Sequence, residues 1–184
     1  MHSMTYLQRK LRIERYFDDT AAQRWVQLTS DAPLGRIRET VRLGRERMRT
    51  GLLDWLGSDL HGQRVFDAGC GTGALAIAAA QRGAEVTAVD LSPKLIEQAR
   101  SRVPVEPMPG RVRFVSGDML EAGTSTFDHV VAMDSLIHYR GADMLDMLAA
   151  LSLRARHSML FTFAPCTPLL TLMHTVGRLI PASE

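Results

Sequence analysis

A glycine-rich turn between an apolar strand and a helix constrains the fold of this chain more than any other feature. Residues 65–73 read VFDAGCGTG, which places glycines at positions 69, 71 and 73 directly after a short apolar run. Glycine lets a backbone turn sharply and approach a ligand closely, and the start of the following helix favours polar or anionic groups. The spacing G-x-G-x-G differs from the G-x-G-x-x-G of dinucleotide-binding proteins, so the turn alone does not identify its ligand.

Strand-like and helix-like segments alternate from residue 63 onward. Strands are predicted at 64–67, 85–89, 112–115, 127–132 and 158–163, and helices at 74–82, 93–102, 142–153 and 169–180. Ser92 is a common N-cap residue, and Pro93 suits the first turn of the helix that it opens. Repeated strand–helix units predict an α/β fold, with a doubly wound, mostly parallel sheet covered by helices on both faces.

The first 56 residues are predicted to be helical and to precede the sheet. We expect two parts, an N-terminal helical lid and substrate region at 1–56 and a core at 57–184. Ile37, Val41, Met48 and Leu52 follow helical spacing and predict one apolar stripe. Arginines occupy the other faces of this helix, and for most of them a solvated surface is the simpler interpretation. They are Arg36, Arg38, Arg42, Arg45 and Arg49.

Composition excludes several classes of protein. The chain has 184 residues, a net charge of +2, 46% hydrophobic residues and two cysteines, so it is neither disordered nor a disulfide scaffold. No Cys/His pair has zinc-ligand spacing, so no metal site is expected. The near-neutral charge and few aromatic residues do not indicate nucleic acid as a partner.

The sequence also predicts where the protein acts. No secretory signal precedes the first helix, which predicts a cytoplasmic protein. The uncharged run from 157 to 177 is interrupted by Pro165 and Pro168, so it predicts a strand, a turn and an apolar helix rather than a membrane span.

Aspartates follow four successive predicted strands, at positions 67, 90, 118 and 134. Because ligands of open α/β sheets bind at the carboxyl ends of the strands, these side chains are expected at one site. A carboxylate at Asp67 would repel a pyrophosphate but attract a cation such as S-adenosylmethionine, which carries an ammonium and a sulfonium. Asp90 would accept the ribose hydroxyls, Asp118 the adenine amino group, and Met119 would pack on the ring.

This set of residues resembles the class I, Rossmann-like S-adenosylmethionine-dependent methyltransferases. The resemblance covers residues 63–165 and implies a cofactor site with nine members. They are Asp67, Gly69, Gly71, Gly73, Asp90, Leu91, Asp118, Met119 and Asp134. It also implies a seven-stranded sheet, whereas the sequence predicts five strands, so the final two are expected to be absent and the fifth to be an exposed edge.

The flanking segments resemble one family more narrowly, the magnesium-protoporphyrin IX O-methyltransferases of bacteriochlorophyll biosynthesis, in their purple-bacterial form. The similar segments are RYFD at 15–18, RW at 24–25, IRETVRLG at 37–44, LLDWL at 52–56 and MDSLIHY at 133–139. Thr29 stands where the cyanobacterial and plant relatives carry a tyrosine, so no role of that tyrosine can be transferred. The resemblance implies methyl transfer from S-adenosylmethionine to one propionate of magnesium-protoporphyrin IX, with S-adenosylhomocysteine and the monomethyl ester as products.

The resemblance also directs attention to residues that handle the substrate. Trp25 and Arg42 are candidates for substrate contacts, and His138 and Tyr139 for the catalytic position after the fourth strand. His138 would hydrogen-bond the carboxylate or approach the magnesium, or it would simply pack beside the cofactor. The implied partners are the large subunit of magnesium chelatase and, by peripheral contact, the cytoplasmic face of a membrane.

Other functions remain open on the sequence alone. One is methylation of another small acid or a quinol, since the core would look the same. Another is non-catalytic binding of the cofactor or a tetrapyrrole. A nucleic-acid methyltransferase is the weakest alternative, because Asp134 is followed by Ser-Leu-Ile rather than by Pro-Pro and an aromatic residue.

Overall fold

The computed structural model describes residues 4–21, 36–122 and 125–163. Trp25 and the predicted helix at 169–180 lie outside these ranges. The described residues form one five-stranded sheet in the order β3-β2-β1-β4-β5, and every pair of neighbouring strands is parallel. The strands are β1 (Arg64–Ala68), β2 (Glu85–Asp90), β3 (Arg111–Ser116), β4 (Phe127–Ala132) and β5 (Ala155–Phe161). The predicted parallel α/β sheet is confirmed, and β5 lies at an edge of the described sheet.

Five α-helices and two shorter helical turns accompany the strands in the described residues. They are α1 (Met4–Arg15), a π-helical segment (Tyr16–Ala21), α2 (Arg36–Leu56), α3 (Ala74–Gln81), α4 (Pro93–Ser101), a 3-10 helix (Leu136–His138) and α5 (Gly141–Ser152). The predicted cap is confirmed, because the Leu95 N–H donates to Ser92 Oγ at 3.2 Å at the start of α4. The fifth strand begins at Ala155, three residues earlier than predicted, since Ala155 pairs with Phe127.

Alternate residues of the central strands enter two apolar layers, one on each face of the sheet. On one face, Val65 and Val131 pack with the alanine-rich helix α3, whose Ala76, Ala79 and Ala80 are fully buried. On the other face, Phe66 and Val130 pack with Met147 and Leu151 of α5. Because both faces are covered, the central strands read as continuous apolar runs in the sequence.

The predicted apolar stripe of α2 packs only in part, because Leu52 contacts the core whereas Val41 and Met48 do not. Val41 is 47% exposed and Met48 is 37% exposed, whereas the buried residues of this helix are Leu53 and Leu56 in its last turn. Among the described side chains of α2, those at its C-terminal end join the core. Further along the helix, Arg42, Arg45 and Arg49 lie over the carboxyl ends of the strands.

Helix α1 docks through polar contacts with residues more than one hundred positions later. The Tyr6 hydroxyl lies 2.8 Å from both carboxylate oxygens of Asp118, and Lys10 Nζ lies 2.9 Å from Asp118 Oδ2. Arg9 Nε donates to the carbonyl oxygen of His138 at 2.7 Å. The Tyr6 ring also stacks on Tyr139, with 5.5 Å between centroids.

No helix within the described ranges is both long enough and apolar enough to span a membrane.

We predict that Tyr6→Phe loosens α1 selectively. The variant keeps the aromatic stack but removes a buried hydroxyl that donates to a carboxylate, a contact worth roughly 1.5–3 kcal/mol. Hydrogen exchange should show faster exchange of the α1 amides, with little change in the central strands.

Tyr16→Phe is the matched control, because Tyr16 is 54% exposed. Equal exchange of α1 in the two variants would contradict the anchoring role of the Tyr6 hydroxyl.

Candidate functional site

A cavity of about 340 Å³ lies at the carboxyl ends of β1, β2 and β4. The loops that follow these strands form its floor, and α2 together with the end of α1 covers it. Its lining includes ten of the residues selected from the sequence: Arg42, Asp67, Gly69, Gly71, Asp90, Leu91, Met119, Asp134, His138 and Tyr139. Gly73 and Asp118 are not part of the lining.

The glycine turn is shaped by close contacts that exclude side chains at two positions. Gly69 has φ +85°, and a Cβ there would lie 2.2 Å from Ser135 Cβ. Gly73 has φ +76°, and a Cβ there would lie 2.8 Å from the Phe114 ring. Gly69 thus lets the β4 loop approach the floor of the cavity, while Gly73 allows α3 to start against β3. This packing role explains why Gly73 does not line the cavity.

Asp90 holds the turn in place while facing the cavity. The Gly71 N–H donates to Asp90 Oδ2 at 2.8 Å, and the Ser92 N–H donates to Asp90 Oδ1 at 2.9 Å. Burial raises the pKa of Asp90, and the two backbone donors oppose that shift. Each oxygen retains lone pairs that can accept ligand hydroxyls.

Asp67 carries a buried carboxylate with an orphan oxygen. The residue is 1% exposed, and its Oδ2 has no hydrogen-bond partner among the described residues. Burial and the nearby charge of Asp90 raise the pKa of Asp67 to about 7. An ionised carboxylate in this position is destabilised unless a cation or donor approaches it, so Asp67 favours a cationic ligand.

Asp118 is placed differently from the prediction. Its carboxylate is buried, accepts the Tyr6 hydroxyl and the Leu120 N–H, and pairs with Lys10. It therefore fastens α1 to the loop after β3 instead of facing the cavity. The next residue, Met119, does line the cavity, as the sequence predicted.

Asp134 adopts a conformation that is unusual for a non-glycine residue, with φ +54°. Its N–H donates to Thr162 Oγ1 at 2.7 Å, and the Thr162 hydroxyl donates back to Asp134 Oδ1 at 3.0 Å. The second carboxylate oxygen pairs with the guanidinium of Arg45. These contacts hold the strained backbone and tie α2 to the end of β4.

His138 and Tyr139 follow Asp134 on the cavity wall. Burial lowers the pKa of His138, and the charges of Arg9 and Arg45 lower it further against the opposing effect of Asp134. The imidazole is therefore neutral at pH 7. Burial raises the pKa of Tyr139, so its phenol stays protonated. Both side chains can serve as hydrogen-bond partners without carrying charge.

Three arginines of α2 line the cavity: Arg42, which the sequence analysis selected, and Arg45 and Arg49, for which the solvated-surface interpretation is corrected. Arg42 pairs with Glu39, Arg45 with Asp134, and Arg49 with Glu46. The cavity therefore has an acidic floor, with Asp67 and Asp90, and a basic cover. Such a division of charge suits a site that takes a cation on one side and an anion on the other.

Sequence reasoning missed several members of the site. They are Ile13, Phe17, Arg45, Arg49 and Ser135, all of which line the cavity. Positions 42, 45 and 49 lie on one helical face, so a helical-wheel analysis of the arginines contained a signal for two of them. Phe17 belongs to the RYFD segment noted in the sequence, but that segment gave no indication of its contact with the His138 ring, edge-on at 5.4 Å.

Comparisons with known proteins agree with this geometry. The family model described as "Methyltransferase domain" matches residues 65–156, and the one described as "Magnesium-protoporphyrin IX methyltransferase C-terminus" matches residues 132–184. The magnesium-protoporphyrin O-methyltransferase of Rhodobacter capsulatus is 46% identical over 180 residues, which are 97% of this chain and 80% of that protein. Its counterpart from Synechocystis sp. PCC 6803 is 32% identical over 94% of this chain and 76% of that protein.

A solved structure extends the similarity to three dimensions. The crystal structure of magnesium protoporphyrin IX methyltransferase from Synechocystis PCC 6803 with bound SAH superposes with a TM-score of 0.86 at 30% identity, covering 95% of this chain and 80% of that one. The predicted class I methyltransferase fold is thereby confirmed. On its sequence and its fold, this chain belongs to the magnesium-protoporphyrin O-methyltransferase family.

Proposed function

We propose that this chain transfers a methyl group from S-adenosylmethionine to a propionate carboxylate of magnesium-protoporphyrin IX, giving the monomethyl ester. The observation that carries the proposal is the opposition of charges across one cavity. The buried carboxylate of Asp67, whose Oδ2 has no hydrogen-bond partner among the described residues, lines the cavity from the sheet, and three arginines line it from α2. A cationic methyl donor and an anionic acceptor can therefore meet between them.

The described residues fit S-adenosylmethionine. Asp67 Oδ2 has no hydrogen-bond partner among the described residues, and Gly69 and Gly71 contribute backbone without side chains to the cavity lining. Asp67, Gly69, Gly71, Asp90, Leu91 and Met119 would hold it. When bound, this cofactor supplies a methyl group activated by a sulfonium.

The protein's own contribution is alignment rather than proton removal. A propionate is already an anion at neutral pH, so no strong base is required. The neutral imidazole of His138 would hold the carboxylate by a hydrogen bond or contact the magnesium, since neutral imidazole is a common metal ligand. Helix α2 limits access of water, and Arg42 would bind a propionate.

The other predicted residues have supporting roles in this proposal. Tyr139 would form part of the substrate wall while its ring supports α1 through Tyr6. Asp134 would orient Arg45, and Asp118 would act on the adenine position through the neighbouring Met119. Trp25 remains a proposed substrate contact.

We further propose that the porphyrin is received by direct contact, from the large subunit of magnesium chelatase and at the cytoplasmic face of a membrane. The support is physical, because a largely apolar macrocycle is poorly hydrated and is transferred more readily between surfaces than through water.

Mass spectrometry of magnesium-protoporphyrin IX after incubation with the protein and S-adenosylmethionine tests the activity. A product heavier by one methylene is expected. Unchanged porphyrin together with intact S-adenosylhomocysteine binding would refute this acceptor and favour another small acid or a quinol, for which the core would look the same.

We predict that Asp67→Asn weakens S-adenosylmethionine binding by tenfold or more at pH 8, because the cation loses its buried counter-charge. Calorimetric titration of the wild type should show affinity falling about tenfold per pH unit below pH 7 and level above it, as Asp67 is protonated. Asp54→Asn, at an exposed carboxylate of α2, is the control.

We predict that Asp67→Asn stabilises the ligand-free protein. Because the folded-state pKa of Asp67 is raised from 3.8 to about 7, the folded chain keeps a proton that the unfolded chain loses over this range. Stability contributed by this group is therefore lost as pH rises from 3.8 to 7. Asp67→Asn should raise the melting temperature at pH 8, and a lowered one would show that the carboxylate already has a stabilising partner.

We predict that His138→Ala lowers kcat by tenfold or more through loss of substrate alignment, while S-adenosylhomocysteine affinity changes less than twofold. His157→Ala removes an exposed imidazole on β5 and serves as the control. Wild-type kcat in His138→Ala would assign this histidine a packing role only.

A further inference from the structure

The three arginines of the cavity differ in how firmly they are already engaged. Arg45 pairs with Asp134, a partner on another element whose side chain is only 14% exposed. Arg42 and Arg49 pair with glutamates three residues earlier on their own helix, and both arginine side chains are 29% exposed. Part-exposed pairs of this kind contribute little stability, so the Arg49 guanidinium can exchange Glu46 for a ligand carboxylate at little cost.

The spacing of Arg42 and Arg49 provides two separate anion sites. Seven residues of α-helix advance about 10 Å and complete almost two turns, so the two side chains leave the same face of α2 at different depths along the cavity. Arg45 lies between them and is held by Asp134. One anion bound at both arginines would have to displace this central pair, whereas two anions would not.

The size of the cavity restricts how a porphyrin can use these sites. About 340 Å³ lies near the lower limit for a site that holds one drug-sized ligand. A cavity of this size suits one such ligand rather than a methyl donor and a tetrapyrrole together. The macrocycle must therefore lie at the mouth of the cavity, where Arg42 and Arg49 are part-exposed, and only its carboxylate arms can reach inside.

We infer that Arg42 and Arg49 each bind one of the two carboxylates of the acceptor, so that the site selects a dicarboxylic porphyrin over its monoester. This inference rests on the proposed function and adds Arg49 as a determinant of specificity. Esterification of one carboxylate removes one of the two ionic contacts. The product therefore binds more weakly than the substrate, which favours release after a single methyl transfer.

Equilibrium fluorescence titration tests the inference without turnover. Magnesium-protoporphyrin IX, its monomethyl ester and its dimethyl ester are titrated separately with protein saturated with S-adenosylhomocysteine. The variants are Arg49→Ala, Arg49→Lys and, as matched control, Arg47→Ala, which removes an exposed arginine of α2 outside the cavity lining. Retained S-adenosylhomocysteine affinity verifies that each variant is folded.

We expect the wild type to bind the diacid about tenfold more tightly than the monoester, the size of one partly exposed charge-assisted contact. Arg49→Ala should bind the two with nearly equal affinity, Arg49→Lys should recover part of the preference, and Arg47→Ala should retain all of it. The dimethyl ester should bind weakly and equally to all four proteins.

Two results would overturn the inference in different ways. A preference for the diacid that persists in Arg49→Ala would show that Arg49 does not bind a carboxylate, while leaving the proposed function intact. A wild type that binds S-adenosylhomocysteine but none of the three porphyrins would refute the proposed acceptor, and the inference with it.

Discussion

Attachment of the glycine turn to the end of β2 is the interaction on which the site depends. The N–H groups of Gly69 and Cys70 both donate to the Val89 carbonyl, at 2.8 and 3.0 Å, and the Gly71 N–H reaches the Asp90 carboxylate. These bonds bring two buried carboxylates, Asp67 at the end of β1 and Asp90 at the end of β2, close enough for their charges to interact. The repulsion between the two carboxylates favours binding of a cation at the floor of the cavity. Among the described residues, the cationic side chains near the cavity pair with other carboxylates, as Lys10 does with Asp118 and Arg45 with Asp134.

The opposite wall depends on a different kind of constraint, because α2 is fastened at its middle and at its C-terminal end by different forces. Leu53 and Leu56 bury the last turn of the helix in the core, and the Arg45–Asp134 pair ties its middle to the end of β4. Asp134 can take part only because Thr162, just beyond β5, supports its left-handed backbone. The position of the basic cover is thus determined by the sheet, although the arginines belong to a helix that precedes it.

The repetitive and local parts of the molecule could be predicted from the sequence. Local patterns encode the apolar strands, the Ser92 cap and the aspartates at strand ends. The same patterns predicted that Asp67, Asp90 and Met119 lie at one site. The engagement of Asp118 by Tyr6 could not be predicted, because the two residues are 112 positions apart and neither has a distinctive neighbourhood. The exposure of Val41 could not be predicted either, since helical periodicity identifies an apolar face without showing whether another element packs on it.

The long-range docking of α1 also orders events during synthesis. This 12-residue helix is translated before its partners, because it makes contacts with Asp118, His138 and Asp143, separated from it in sequence by 112, 129 and 138 positions. A helix of this length is marginal by itself in water, so it gains its partners only after β3, β4 and the start of α5 have been translated. The loops that form the floor of the cavity are therefore translated before α1 can dock, although α1 precedes them in the chain.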